Sequence, residues 1–450
     1  MNIRKWLSGN ALIILLVLIF LLSTFPGKGG LEGEQREIDS LSNRSDNWGF
    51  LVPWIIGDWP NVFGNWRYSL VLIQLGVLWT GLYLFIKSKK IGFNPQKVPL
   101  FACIYISTIF ASQLWRDASL FAFTVLGLGI LNTSLRVNRK LRYLLILISL
   151  AILIFAAMFK PVFGVIIGAF VLWFFLQEYN LNKKIIFLSL PLLSLMALAP
   201  MFIDKSLSNF VGLNKTYPEQ QPIIFDLASN YCWGSSDQVV TAASEGLKIV
   251  LKKDFPIEAT CASLRPNSWD NLHSNPMKWQ FSSPLFRITG DDDTKVRQLE
   301  KKWMEMIIRN PIDWAQTRFF YLGPTLIMSN SFTEQPSLSH DESLAEYINY
   351  YSWKVISYPA LILDKSRVTS LGFSLILLIL ILIWTLKIQS RKAISIRLID
   401  IYFAISLNFL TIVMTLISYT ANNGRYVLPF ILLNYLFLIR SIKLRSPIQV

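Results

Sequence analysis

Acidic and basic side chains gather in a few loops of this chain, and their types suit proton transfer next to an anion. The first loop, residues 26–67, carries four carboxylates of interest, Glu34, Glu37, Asp39 and Asp46. Later loops carry the remaining candidates: Arg116, Asp117, Lys160, Arg318, Arg425 and Tyr426. A carboxylate can accept the proton of an attacking hydroxyl, and nearby cations can stabilise a developing phosphate charge. The residue types therefore predict group transfer beside an anionic substrate.

Each of these charges also has a simpler interpretation. An acid of the first loop can be merely solvated, and Arg116 can pair with Asp117 or extend towards lipid headgroups. The triplet 291–293, all Asp, indicates a helix N-terminus more than a metal site, because adjacent carboxylates seldom converge on one ion. The sequence leaves both interpretations of the individual charges open.

Several other chemistries are disfavoured by what the sequence lacks. It has two histidines, His273 and His340, and neither lies in a nucleophile motif. A phosphate-binding Gly-Lys-Ser loop is absent, which argues against direct ATP hydrolysis. The sequence has no zinc-type cluster, and it does not decide whether a divalent metal takes part.

The elements that must position the candidates are apolar segments separated by loops of unequal charge. The chain is 53% hydrophobic, with a mean hydropathy of +0.44. Six alternate segments carry 19 Lys/Arg and one acid, Glu178: residues 1–10, 87–97, 136–142, 178–184, 387–397 and 440–450. This asymmetry is typical of cytoplasmic loops in a multi-pass membrane protein. It also accounts for most of the net charge of +15, so nucleic acid is not an expected partner.

We therefore predict an all-α polytopic membrane protein with about ten transmembrane helices. The predicted segments are 11–25, 68–86, 98–114, 119–135, 143–158, 162–177, 185–203, 367–386, 398–419 and 426–439. Both termini are then cytoplasmic. Three regions follow: an N-terminal transmembrane region (1–203) with the acidic outer loop 26–67, a large outer region (204–366), and a C-terminal transmembrane region (367–450).

The large outer region is inserted between the seventh and eighth segments and is expected to be mixed in structure. From Thr294 its apolar residues recur at helical spacing, placing Val296, Leu299, Trp303, Met306 and Ile307 on one face. Asn310-Pro311 should end that helix and begin another that is apolar enough to touch the membrane. Two cysteines of this region, Cys232 and Cys261, either pair or remain free thiols. The end of the first loop, rich in Trp, is expected along the outer interface.

Four short stretches resemble the C class of glycosyltransferases, polytopic enzymes that take sugars from polyprenyl-phosphate donors, and in particular a poorly characterised bacterial branch. They are FPG at 25–27 with its downstream acids, QLWRDASLFAF at 113–123, FDLASNYC at 225–232 with WMEMIIRNPIDWAQTRF at 303–319, and NNGRYVLPF at 422–430. Where bacterial members carry an Asp soon after the Pro-Gly, this chain has Glu32 and Glu34.

The resemblance implies a bacterial inner-membrane enzyme with its active face in the periplasm. Glu34, or else Glu37 or Asp39, would be the base. Asp46, Arg116, Asp117, Lys160, Arg318, Arg425 and Tyr426 would contact the substrate. The partners implied are a polyprenyl-phosphate-linked sugar, membrane lipid, and a glycan, lipid or protein acceptor. A divalent metal is used by some relatives and stays open here.

Two other classes share the expected topology. A lipid-linked glycan ligase or polymerase would need the outer arginines but no carboxylate in loop one. A membrane transporter would show internal pseudo-symmetry and broken helices near the midplane. We see neither feature in the sequence, and a large outer region fits a transporter poorly.

The topology yields the first testable prediction. Reporter fusions after Lys90 and after Asn214 should report opposite sides of the membrane, because the first site lies in a basic loop and the second in the near-neutral outer region. Alkaline phosphatase and a cytoplasmic fluorescent protein, each fused at both sites, provide the measurement. Identical sidedness at the two sites would contradict the assigned topology.

Overall fold

The computed structural model describes a helical protein. The described residues are 50–58, 60–63, 66–87, 97–112, 116–178, 183–213, 220–250, 261, 293–328, 351, 354, 358, 362, 370–388, 394–395, 398–418, 427–441 and 443–444. Within them the structure is α-helical apart from the turns that join helices, short 3-10 and π segments, and one pair of two-residue strands. The prediction of an all-α fold is confirmed at this level.

Fifteen α-helices, numbered in chain order, make up the described fold. They are α1 (Leu51–Pro53), α2 (Pro60–Phe63), α3 (Trp66–Lys87), α4 (Lys97–Ala111), α5 (Arg116–Ser134), α6 (Arg139–Met158), α7 (Gly164–Glu178), α8 (Lys183–Val211), α9 (Gln220–Trp233), α10 (Asp237–Val250), α11 (Asp293–Arg309), α12 (Pro311–Met328), α13 (Leu371–Ile388), α14 (Leu398–Ser418) and α15 (Leu428–Ser441). A π turn (Trp54–Asp58) follows α1, and a 3-10 turn (Pro161–Phe163) precedes α7. Strands β1 (Ile394–Ser395) and β2 (Lys443–Leu444) pair antiparallel.

The nine later apolar segments predicted from sequence each coincide with a helix, from α3 to α8 and from α13 to α15. The first, 11–25, lies outside the described residues. By length and composition, two helices of the described chain are long and apolar enough to cross a membrane, α5 and α6. Shorter apolar stretches lie in α3, α4, α7, α13, α14 and α15. The helical segments are therefore confirmed, while their number as membrane spans is not.

One large apolar core joins these helices into a bundle. Helices α3 and α5 cross closely in this core, since a Cβ on Gly129 would lie 2.5 Å from the carbonyl oxygen of Gly81. Only hydrogen atoms fit at that point, so glycine lets the two backbones touch. Helix α6 packs on the other side of α5, where Ser149 Oγ donates to the Gly127 carbonyl at 2.8 Å. This close packing fixes the α4–α5 and α6–α7 turns relative to one another.

The opposite end of the bundle holds two buried charges. Asp400, 1% exposed, accepts hydrogen bonds from Trp173 Nε1 (2.8 Å) and Gln177 Nε2 (3.1 Å). Arg440, 7% exposed, donates to Asn132 Oδ1 at 2.9 Å and lies over the rings of Phe85 and Phe174. The sequence predicts a helix over 426–439 and counts Arg440 as the first residue of the basic segment that follows. The structure places it inside α15, within the bundle.

Helices α9 to α12 form a second unit with its own small core, which we call the outer cluster. Val296, Leu299 and Met306 of α11 are buried in that core, and Trp303 and Ile307 pack against it. The predicted helical face is thus confirmed. The Asn310-Pro311 break also falls as predicted, with α11 ending at Arg309 and α12 beginning at Pro311. Because α12 also packs against α13 and α14, it connects the outer cluster to the bundle.

The end of the first loop packs on the bundle. Leu51, Ile55 and Ile56 are buried in the main core, and the Phe50 backbone N–H donates to Asp204 Oδ1 at 2.8 Å. A carboxylate at this position satisfies an amide at the start of a helix. The aromatic character of this stretch had predicted an interfacial position. The structure shows that its aliphatic residues point into the protein; its position at a membrane interface stays a prediction.

Candidate functional site

The structure describes four of the ten candidate residues. Arg116, Asp117, Lys160 and Arg318 lie within the described chain. The remaining candidates lie outside the described residues: Glu34, Glu37, Asp39, Asp46, Arg425 and Tyr426. The geometry of the site is therefore built from the two places where described candidates meet an opposite charge.

The first of these places joins the α4–α5 and α6–α7 turns. Asp117 stands in the first turn of α5, and Lys160 precedes the 3-10 turn that leads into α7. Lys160 Nζ and Asp117 Oδ1 form an ion pair whose side chains are 5% and 3% exposed. Arg116, next in the chain, is half-buried. Sequence reasoning selected all three residues, and the structure brings Asp117 and Lys160 into contact.

The burial of this pair has energetic consequences. An ion loses several kcal/mol of hydration in a protein interior, and an opposite charge in contact offsets that loss. Nearby, Gln74 Nε2 of α3 donates to Ser119 Oγ of α5, so another buried polar contact lies within a turn of Asp117. Burying these charged and polar side chains costs free energy unless each keeps its partner. The two contacts therefore hold α3, α5 and the α6–α7 turn in one arrangement.

The second place lies in the outer cluster. Arg318 of α12 is 1% exposed, and its Nε lies 3.0 Å from Asp226 Oδ1 of α9, which is itself fully buried. The Arg318 guanidinium also lies 5.9 Å from the centre of the Trp314 ring. Arg318 was predicted to bind substrate. In this position it neutralises a buried carboxylate, and a contact with substrate stays a prediction.

Asp226 receives further donors from the same cluster. Trp303 Nε1 and Trp314 Nε1 both donate to Asp226 Oδ2, at 2.6 and 2.7 Å. Asn230 Nδ2, one helical turn along α9, lies 3.1 Å from Asp226 Oδ1. One carboxylate thus joins α9, α11 and α12 through charge-assisted hydrogen bonds. We call Asp226, Asn230, Trp303, Trp314 and Arg318 the Asp226 hub.

The hub residues all come from the stretches 225–232 and 303–319, two of those that resemble glycosyltransferases. Their described contacts are to one another within the outer cluster, so these stretches act in folding this region. Asp226 lies in the stretch 225–232, but it was not among the candidate site residues predicted from sequence. Its signal was a charge among Ile223, Ile224 and Leu227, which all turn out to be buried.

Three further links hold the outer cluster. Cys232, at the end of α9, forms a disulfide with Cys261, which settles the choice that the sequence left open. Lys302 Nζ lies 3.0 Å from Glu245 Oε2, joining α11 to α10 at the surface. The hydrogen bond from Lys302 lowers the pKa of the Glu245 carboxyl. Ser236 Oγ donates to Asp313 Oδ2 at 2.7 Å and joins the start of α10 to α12.

The described residues contain no candidate metal site, because no three His, Cys, Asp or Glu side chains among them converge. Four acids of loop one, Glu34, Glu37, Asp39 and Asp46, lie outside the described residues. Comparison with known proteins adds no assignment: no family model, curated protein or solved structure matches this chain.

The hub yields a stability prediction. Arg318→Met should lower the free energy of unfolding of the outer cluster by about 3–5 kcal/mol, because it leaves the Asp226 carboxylate buried without its countercharge. Adding Asp226→Asn should recover part of that loss, since the uncompensated charge disappears. Pulse proteolysis of the full chain in detergent over a denaturant series measures both effects.

Arg309→Met provides the matched control, because Arg309 is exposed near the end of α11. Its effect should stay within about 0.5 kcal/mol. Equal losses for the Arg309 and Arg318 variants would show that the Asp226 hub does not stabilise the cluster.

Proposed function

We propose that this protein is a membrane glycosyltransferase that moves a sugar from a polyprenyl-phosphate donor to a periplasmic or lipid-linked acceptor. The observation that carries the proposal is the buried Asp117–Lys160 pair. It joins two turns whose charges the sequence assigned to a single face, and it lies next to Arg116. The resemblance to C-class enzymes supplies the reaction type.

Membrane placement is part of the proposal, with about ten spans in all. It is supported by apolar side chains that remain exposed along the helices. On α6 these include Leu144 (53%) and Leu147 (65%), and on α13 they include Ile376 (59%) and Leu380 (57%). Apolar surface of this extent is unfavourable in water and suits contact with lipid tails.

The side of the membrane is supported by the disulfide in the outer cluster. Disulfides persist in oxidising compartments, of which the bacterial periplasm is one. The Cys232–Cys261 pair lies in the region that the charge asymmetry places opposite the basic loops. Two independent features, charge and disulfide bonding, thus favour a periplasmic position for this region.

In the proposed reaction the acceptor hydroxyl attacks the anomeric carbon of the donor sugar. The new bond joins the acceptor oxygen to that carbon, while the bond from the carbon to the phosphate oxygen breaks and its electrons leave with polyprenyl phosphate. Glu34, or else Glu37 or Asp39, takes the hydroxyl proton. Arg116 and Arg425 would stabilise the leaving phosphate.

The remaining substrate contacts take more restricted roles in this proposal. Lys160 contributes its positive charge to the same end of the bundle while holding Asp117 in place. Asp46 and Tyr426 would orient the sugar or the acceptor through hydrogen bonds. Arg318 acts through the Asp226 hub, because it is buried against that carboxylate.

The identity of the base gives the third prediction. Glu34→Gln should abolish sugar transfer while leaving expression unchanged, because an amide does not accept the proton. Release of polyprenyl phosphate in membrane vesicles measures the activity. Loss in Glu37→Gln or Asp39→Asn instead would move the role along loop one. Full activity in all three variants would remove loop one from the mechanism and favour a ligase or polymerase.

The ion pair gives the fourth prediction. Asp117→Asn and Lys160→Met should each destabilise the fold by about 3–5 kcal/mol, because each leaves one buried charge unpaired. The double variant should regain most of that stability, since neither charge remains. Thermal unfolding in detergent measures the stability of all three proteins, with Lys140→Met, an exposed position on α6, as the control.

Activity then separates a structural pair from a functional one. If the pair belongs to the active site, the double variant folds and transfers sugar at least about tenfold more slowly, a barrier increase of about 1.4 kcal/mol. A stable double variant with wild-type transfer would contradict a role of the pair in the site.

A further inference from the structure

An exposed apolar stripe runs along the outer cluster where α11 meets α12. Ile308 is 70% exposed, Ile312 71%, Phe319 52% and Phe320 62%. These four residues, which we call the elbow stripe, lie at helical spacing on either side of the Asn310-Pro311 break. Side chains of this size are rarely left together in water on a folded protein.

The elbow stripe is exposed even though the outer cluster has a core of its own. The same two helices bury Leu299 and Met306 of α11 and Thr317 and Arg318 of α12. Both helices are therefore amphipathic, with one face committed to the Asp226 hub and the other facing outwards. The outward face lies opposite an already satisfied core, so its apolar character calls for a different partner.

Charge along α11 points to a lipid partner. Arg297, whose side chain is 80% exposed, and the exposed Lys301 lie on the same helix face as Ile308, eleven and seven residues before it. From Lys301 to Ile308 the helix rises about 10 Å. Helices at a membrane interface show this order, with cations at the headgroups and apolar side chains deeper.

Helix α12 provides continuity with the bundle. It packs against α13 and α14, which expose their own apolar side chains, including Ile376 (59%) and Ile379 (47%) on α13 and Phe409 (64%) on α14. The elbow stripe therefore stands on a helix that leads directly into the surface proposed to face lipid tails. A protein partner would have to cover this stripe next to a bilayer.

We infer that the α11–α12 elbow lies in the outer leaflet of the membrane, with the elbow stripe among acyl chains and Arg297 and Lys301 at the phosphates of the headgroups. This inference rests on the membrane placement in the proposed function. The Asp226 hub would then hold α9, α11 and α12 together at the bilayer surface. The hub would thereby set the depth at which the outer cluster lies. A lipid-linked substrate would then meet the outer cluster at the level of its own phosphate.

The test is nitroxide accessibility in the full chain, reconstituted into vesicles of phosphatidylethanolamine and phosphatidylglycerol. Labels are placed by Ile308→Cys, Ile312→Cys and Phe320→Cys. Labelling is selective, because Cys103 is buried and Cys232 is bonded to Cys261. Oxygen concentrates among acyl chains and a nickel chelate stays in water, so the logarithm of their accessibility ratio is positive in lipid and negative in water.

Two further label sites separate the possible outcomes. Ile379→Cys on α13 reports on the bundle, and Arg297→Cys reports on the polar end of α11. The inference expects a positive ratio at 308, 312, 320 and 379 and a lower ratio at 297. A positive ratio at 379 with negative values along the stripe would overturn the inference and leave the membrane placement intact. Negative values at 379 as well would overturn both.

A third pattern concerns protein partners. Labels at 308 and 312 that are reached by neither oxygen nor nickel would show a protein surface over the stripe, from a second copy or another part of this chain, and would overturn the lipid assignment. As an independent measure, Ile308→Ser with Ile312→Ser should shift the label at 320 towards water. The exposed pair Arg297→Ser and Lys301→Ser should shift it less.

Discussion

The arrangement of the outer cluster depends on one buried carboxylate. Asp226 has no exposed surface, and a bare ion in that position would be strongly unfavourable. Two indole N–H groups, a guanidinium and an amide, drawn from three helices, offset that cost. Because the donors are divided among α9, α11 and α12, the carboxylate is satisfied only when all three helices are in place. Electrostatics here selects one arrangement, and the small apolar core fills it.

The bundle follows the same physical rule at each of its ends. Asp117 meets Lys160 at one end, and at the other Asp400 meets Trp173 while Arg440 meets Asn132 and two aromatic rings. Burial of apolar side chains does not by itself fix how two helices are aligned, because one aliphatic side chain can replace another with little change in free energy. A buried charge does fix the alignment, since sliding one helix along the other would leave the charge without its partner. These contacts therefore set how the helices are aligned along their lengths.

The helices could be predicted from sequence because helical spacing and apolar content are local properties. The break at Pro311 and the apolar face of α11 were predicted for the same reason. Lys160 and Asp117 were both selected, since charges in short turns between apolar segments are conspicuous. Their pairing was not predicted, because it joins residues that are distant in sequence. Asp226 and its partners were quoted in motifs, yet no spacing rule links a carboxylate on one helix to indoles 77 and 88 residues further on. The predicted helix 426–439 stops one residue before Arg440, because a charge at the end of an apolar segment looks the same whether it lies in a loop or packs between rings.

Those separations also govern the order of events during synthesis. At a translation rate of about 5–20 residues per second, the ribosome needs roughly 5 to 18 seconds to extend the chain from Asp226 to Arg318. Helix α9 is therefore made well before the groups that will satisfy its carboxylate exist. Until Trp303 emerges, Asp226 has neither its indole donors nor its countercharge, and Arg318 is the last of these groups to be made. Until then α9 is better solvated than buried. The outer cluster is thus bound to assemble as a single late step, after its last helix has been made.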